Sequence, residues 1–102
     1  MKETSYAILG MGRFGRKLTT MLDATGAEIL IADCNSDIIN RYADHATTAV
    51  CLDLSNANAL YDIGLEHINV AVIDLGTNLE PAVMCIMIAK ELGVKHIIAT
   101  IA

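Results

Sequence analysis

No apolar run in the 102-residue sequence approaches the roughly 20 residues that a membrane helix needs, so direct insertion into a bilayer is not expected. The opening "MKETSYAI" holds one Lys and no long apolar core; a signal peptide is therefore not expected, and a cytoplasmic location is. Basic residues are few. Seven Lys and Arg against twelve Asp and Glu leave a net charge of −5, whereas a nucleic-acid binder draws most of its affinity from a basic stripe facing phosphates. Only Arg13, Arg16 and Lys17 cluster, which points to a small anionic ligand and not to nucleic acid. Cysteine is scarce and odd in number: Cys34, Cys51 and Cys85 form no C-x-x-C, and His45, His67 and His96 stand apart from them. The expectation is reduced thiols on or near strands, with no disulfide and no metal site. Pro81 is the single proline, no linker or low-complexity stretch interrupts the chain, and residues 1–102 are expected to form one domain. The absence of G-x-x-x-x-G-K-[ST] excludes P-loop hydrolysis.

What is present is an alternation of short apolar runs with longer periodic segments. Hydrophobic residues make up 54% and charged ones 19%, so the chain is globular. "YAIL" (6–9), "EILIAD" (28–33), "TAVCL" (48–52), "VAVIDL" (70–75) and "HIIATIA" (96–102) predict five strands. Between them, 13–25 carries Phe14, Leu18, Met21 and Leu22 at helical spacing and stops before Gly26. A second helix with Ile38, Ile39 and Tyr42 is capped by Asn35 or Ser36, and a short third helix is expected to start at Ser55 and stop at Gly64. The longest helix runs over 78–92, with Glu80 and Pro81 in its first turn and Gly93 beyond its end. Alternating strands and helices with short loops call for an α/β fold. Continuously apolar strands and right-handed crossovers specify it further as a Rossmann-like, doubly wound parallel sheet of order 3-2-1-4-5 that ends after the fifth strand.

The hexapeptide "GMGRFG" (10–15) fits G-x-G-x-x-G and lies directly after the first strand, opening the first helix. In that setting Gly10 permits a tight turn, Gly12 lets a phosphate approach the backbone, and Gly15 allows close helix–strand packing. The helix start offers unpaired N–H groups and a partial positive charge to the phosphate. Asp33 ends the second strand, 21 residues beyond Gly12, where its carboxylate can accept from both ribose hydroxyls and repel a 2′-phosphate. The expected ligand is an adenosine-type nucleotide other than NADP. A guanidinium at Arg13 opens the helix beside the phosphates and can pair with one of them; a terminal phosphate within its reach would let it separate ATP from ADP. Arg16 and Lys17 are read as solvated, with Arg16 also within range of a phosphate or a partner subunit.

Two further strand ends face the same crevice, because ligands in such sheets lie beyond the carboxyl ends of strands. Asp53 follows the third strand, within reach of an adenine amino group or serving as a cap. "LGTN" (75–78) follows the fourth, where Gly76 allows close backbone approach and Thr77 or Asn78 can touch phosphate or ribose. Asp74 falls inside the predicted fourth strand and, if buried, needs a partner that the sequence does not identify. "AVMCIMIA" (82–89) is apolar on every side of its helix, so it needs cover on two sides. The sheet supplies one, and a partner subunit or a further helix the other. A dimer is the expectation.

These segments together resemble the N-lobe of RCK domains, also called KTN or TrkA-N, which regulate Trk/Ktr-type potassium transporters and some potassium channels from the cytosol. The resemblance spans essentially the whole chain, through "YAILGMGRFGRKL", "EILIAD", "AVCLDLSNANALYDIGLEHINVAVIDLGTN" and "AKELGVKHIIATIA". It implies a non-catalytic domain that senses ATP/ADP or NAD(H) and gates a membrane-embedded potassium transporter or channel subunit. It also implies a homodimer within a larger ring, held at the inner face of the plasma membrane through that partner. The cofactor-binding residues it suggests are Gly10, Gly12, Arg13, Phe14, Gly15, Asp33, Cys34, Asp53, Leu54, Gly76 and Asn78, with Arg13 near the neighbouring protomer and Gly76 and Asn78 in a loop closing over the ligand. In the family another helix and strand follow the fifth strand, so the chain resembles a truncated or isolated N-lobe. The alternative is the NAD-binding half of a dehydrogenase, since methyltransferases and dehydrogenases also use glycine-rich first loops. Hydride transfer, however, needs a substrate pocket and usually a positioned acid or base, and no histidine is paired by spacing with an Asp or a nucleophile.

Overall fold

The apolar run "SYAIL" forms strand β1 (Ser5–Leu9) at the centre of a five-stranded sheet in the computed structural model, which describes residues 4–100. After it come α1 (Arg13–Asp23), β2 (Glu28–Asp33), α2 (Ser36–Tyr42) and β3 (Thr48–Cys51). The second half adds α3 (Ala57–Tyr61), β4 (Val70–Ile73), α4 (Leu79–Glu91) and β5 (His96–Ala99). Single 3-10 turns at Ala43–His45 and Leu65–His67 lead into β3 and β4. The sheet is parallel throughout in the order β3-β2-β1-β4-β5, with Ile8 opposite both Ile31 of β2 and Val72 of β4. The α/β, doubly wound architecture is the one the alternation predicts.

Alternation of side chains along the strands divides the core into two layers. Ala7, Leu9, Leu30, Ala32, Ala71 and Ile73 share one layer with Leu60 of α3 and Cys85, Ile88 and Ala89 of α4. Ile8, Ile29, Ile31 and Val72 share the other with Ile39 of α2, flanked by Leu18 and Leu22 of α1. The central strands are therefore apolar on both faces, as parallel strands covered by helices must be. β3 and β5 form the edges, and Thr48, Cys51, His96, Ile98 and Ala99 on them are exposed.

Several local expectations are corrected. Asn56, not Ser55, caps α3, because the backbone N–H and the hydroxyl of Ser55 both donate to Asp53 Oδ1 at 2.9 and 2.6 Å. Asn56 is then left to accept from the N–H of Ala59. β4 ends at Ile73, which places Asp74 in the crevice beyond the strand and not inside it. Cys85 lies in α4, away from any strand, and is fully buried. β5 ends at Ala99, and residues 101–102 of the expected fifth strand lie outside the described residues.

Candidate functional site

The chain leaves β1 in one direction toward β2 and β3, then returns to place β4 on the other side of β1. Loops after β1 and β4 therefore diverge and leave a crevice at the carboxyl ends of the strands. The glycine loop occupies it. Gly10 adopts a φ of +99°, open to glycine at little cost, and a Cβ there would lie 2.3 Å from the Asp74 carbonyl oxygen. A Cβ on Gly15 would lie 2.5 Å from the Gly10 carbonyl oxygen and 3.0 Å from Ile8 Cγ2, so α1 sits this close to β1 only without a side chain.

Helix α1 begins after Gly12 with no side-chain cap of its own. Its first turn leaves N–H groups that the helix cannot satisfy. The flanking donors are taken by carboxylates from elsewhere: the Met11 N–H bonds to Asp33 Oδ2 at 2.7 Å, and the Gly15 N–H to Asp74 Oδ2 at 2.8 Å. Between them the N–H groups of Gly12, Arg13 and Phe14 have no partner among the described residues. Three adjacent donors at a helix start suit an oxyanion, and their chemistry fits a phosphate group.

A hollow opens on each side of this loop. The smaller, about 260 Å³, is lined by Asp33, Cys34, Asp53, Leu54, Ser55, Leu75, Asn78 and Pro81. Asp33 is half-buried there, and Oδ1 also accepts from the Asn35 N–H at 2.8 Å. A carboxylate has about four lone-pair positions; the two backbone bonds fix the group and leave acceptor capacity for ligand hydroxyls. Asp53 is exposed, and the Ser55 hydroxyl and N–H that it accepts from hold its carboxyl below the usual range. It remains an acceptor at neutral pH. The larger hollow, about 570 Å³, is lined by Gly12, Arg13, Phe14, Lys17, Asp74, Gly76 and Thr100.

The suggested residues thus separate into groups. Asp33, Cys34, Asp53, Leu54 and Asn78 share the smaller hollow; Gly12, Arg13, Phe14 and Gly76 share the larger; Gly10 and Gly15 are buried beneath the loop and line neither. Gly12 has a neighbour that the motif alone does not reveal: a Cβ on it would lie 2.6 Å from Asp74 Oδ2. Arg16, expected to be solvated, folds back so that its Nε donates to the Gly12 carbonyl at 3.3 Å. Lys17 lines the larger hollow because it stands one helical turn beyond Arg13, a spacing that was legible. Thr100 and Asp74 join the site through tertiary contact alone. His45 does have an acidic partner, Asp23 at 2.8 Å, but the pair is exposed at the opposite end of α1 from the loop.

The family model of the TrkA-N domain matches residues 6–102. The chain belongs to the TrkA-N domain family. Among its relatives, the Ktr system potassium uptake protein A of Bacillus subtilis (strain 168) is 30% identical over 97 residues, covering 95% of this chain and 44% of the relative. The Ktr system potassium uptake protein C of the same organism is 33% identical over 92 residues, covering 90% and 42%. This TrkA-N chain therefore spans less than half the length of the curated relatives it matches. Among solved structures, BdcA (YjgI) from E. coli superposes with a TM-score of 0.64 at 19% identity, covering 87% of this chain and 52% of that one. That likeness concerns the Rossmann-like fold. No helix among the described residues of the TrkA-N chain is long and apolar enough to cross a membrane.

Proposed function

We propose that this chain is the nucleotide-sensing lobe of a regulatory protein of potassium transport, binding ATP/ADP or NAD(H). The observation that carries the proposal is the run of N–H groups at Gly12, Arg13 and Phe14 with no partner among the described residues, set between the Asp33 hollow and a second hollow across the loop. An adenosine placed against Asp33 would send its phosphates onto those donors, with Arg13 beside them. The transport context rests on relatives named as potassium uptake proteins. In that setting the lobe acts on a membrane-embedded transporter or channel subunit and lies at the cytoplasmic face of the membrane through it.

The role is regulatory and not catalytic. Neither hollow is lined by a histidine among the described residues, which weighs against the dehydrogenase alternative. Ligand acts by population shift: a nucleotide touching the glycine loop, Asp33 and the loop at Gly76 favours one arrangement of two protomers, in proportion to its differential affinity for the two arrangements. Those protomers belong to a homodimer within a larger ring.

Calorimetric titration of the chain with ATP, ADP, NAD and NADH tests the proposal, with Asp33→Ala as the control. Micromolar binding by at least one of them, weakened about tenfold or more in Asp33→Ala while the variant keeps its circular dichroism, is the expected outcome, given that one charge-assisted hydrogen bond contributes roughly 1.5–3 kcal/mol. No heat with any of the four, or binding undiminished in the variant, removes the nucleotide site from this crevice.

A further inference from the structure

Asp74 is the sole charged side chain buried among the described residues, with 9% of its surface exposed. It projects from the end of β4 to the start of α1, and both carboxylate oxygens are held. Oδ2 accepts from the Gly15 N–H at 2.8 Å, and Oδ1 accepts from the Thr100 hydroxyl at 2.7 Å. The group lies so close to the glycine loop that Gly12 has no room for a Cβ against it. A helix start favours a negative charge, and here the protein supplies one itself. The three free donors of the loop therefore lie between two carboxylates, Asp33 in the smaller hollow and Asp74 in the larger.

We propose that Asp74 makes this site selective for a dinucleotide with an internal diphosphate over a nucleoside triphosphate. The inference rests on the nucleotide site proposed above and specifies its ligand. A ligand anchored at Asp33 and crossing the loop with two phosphates next enters the larger hollow beside Asp74. A third phosphate there brings two more negative charges toward a fixed, desolvated carboxylate, and that repulsion is weakly screened. A second ribose brings no charge and offers hydroxyl donors that a carboxylate can accept. The hollow of about 570 Å³ is large enough to take a nucleoside. Arg13 and Lys17 line it too, but both are exposed, so solvent and side-chain freedom dilute their attraction. Their charge serves the diphosphate at the loop, which both ligand classes share.

The test compares dissociation constants of NAD, NADH, ADP and ATP in magnesium-free buffer for the natural chain and for Asp74→Asn. The amide keeps the shape and an acceptor for the Gly15 N–H while removing the charge. The natural chain is expected to bind NAD or NADH more tightly than ATP, and the ratio of the ATP to the NAD dissociation constant should fall about tenfold in Asp74→Asn, equivalent to ~1.4 kcal/mol. Tighter binding of ATP than of NAD by the natural chain overturns the proposal without any variant. So does an unchanged ratio in Asp74→Asn, or in Asp74→Ser where the amide does not fold. If no adenine nucleotide binds the folded natural chain, the nucleotide site itself falls, which a shifted or unshifted ratio cannot imitate.

Discussion

Asp33 and Asp74 show how differently two carboxylates of one crevice can be read from a sequence. Asp33 was legible because its distance from Gly12 and its place at a strand end are local facts. Asp74 could be singled out as a charge in an apolar run, but its partners Gly15 and Thr100 lie 59 and 26 residues away, and only the pairing of β4 with β1 and β5 brings them together. The cysteines divide in the same way. Spacing shows that they form no motif, whereas reactivity depends on burial: Cys34 and Cys51 are exposed, and Cys85 is buried on the inner side of α4 with its thiol donating to the Leu54 carbonyl. Burial pushes the Cys85 thiol from its ordinary 9.0 up to about 11. A thiol-specific reagent at pH 8 should therefore label two cysteines in the native chain and the third only on unfolding, since the thiolate is the reactive form. Because the folded form holds this proton more tightly than the unfolded chain, its contribution to stability is full below pH 9 and is lost as pH rises toward and through 11. Rapid labelling of Cys85 in the folded chain would show that the α4 layer is open.

Helices and strands were largely legible, and the misplaced start of α3 has a local cause. Asn35 caps α2 as its position suggests, with Oδ1 accepting from the N–H groups of Asp37 and Ile38 at 3.0 and 3.2 Å. One helix later the same rule fails at Ser55, because Asp53 two residues before it competes for the hydroxyl. Capping preferences rank residues for a free helix start, and a neighbouring carboxylate changes which of them is free. Asn35→Ala leaves two backbone donors of α2 without an acceptor and touches neither hollow. It should lower the unfolding free energy by about 1 kcal/mol, readable as a shifted urea midpoint at unchanged slope. Asn56→Ala should lower it less, since one bond of 3.3 Å is at stake. An equal loss at both positions would mean that bond number does not set the cost.

An open apolar surface lies on α4, and its sequence signal was an apolar run over 82–89 with no polar face to turn toward water. One side of the helix is closed by the sheet through Cys85, Ile88 and Ala89. The other presents Leu79, Val83 and Met87 at successive four-residue steps, 67%, 44% and 66% exposed, so they form one ridge. Beside it, between α4 and β5, is an apolar hollow of about 280 Å³ lined by Leu79, Ala82, Val83 and Ile86. A ridge next to a hollow can mate with its own copy about a twofold axis, each ridge entering the other's hollow. This is the surface we assign to the proposed homodimer, and a stable contact of that kind covers about 800 Å² per partner. Met87 stands at its outer end and contributes little to the core of a single chain. Met87→Glu should therefore convert a concentration-dependent dimer in sedimentation velocity to a monomer while leaving the melting temperature of the dilute chain within a few degrees. The buried charge that two copies would have to share across the axis makes the effect large in association and small in folding. A variant that sediments like the natural chain at every concentration would move the contact away from α4, and the gating arrangement of two protomers with it.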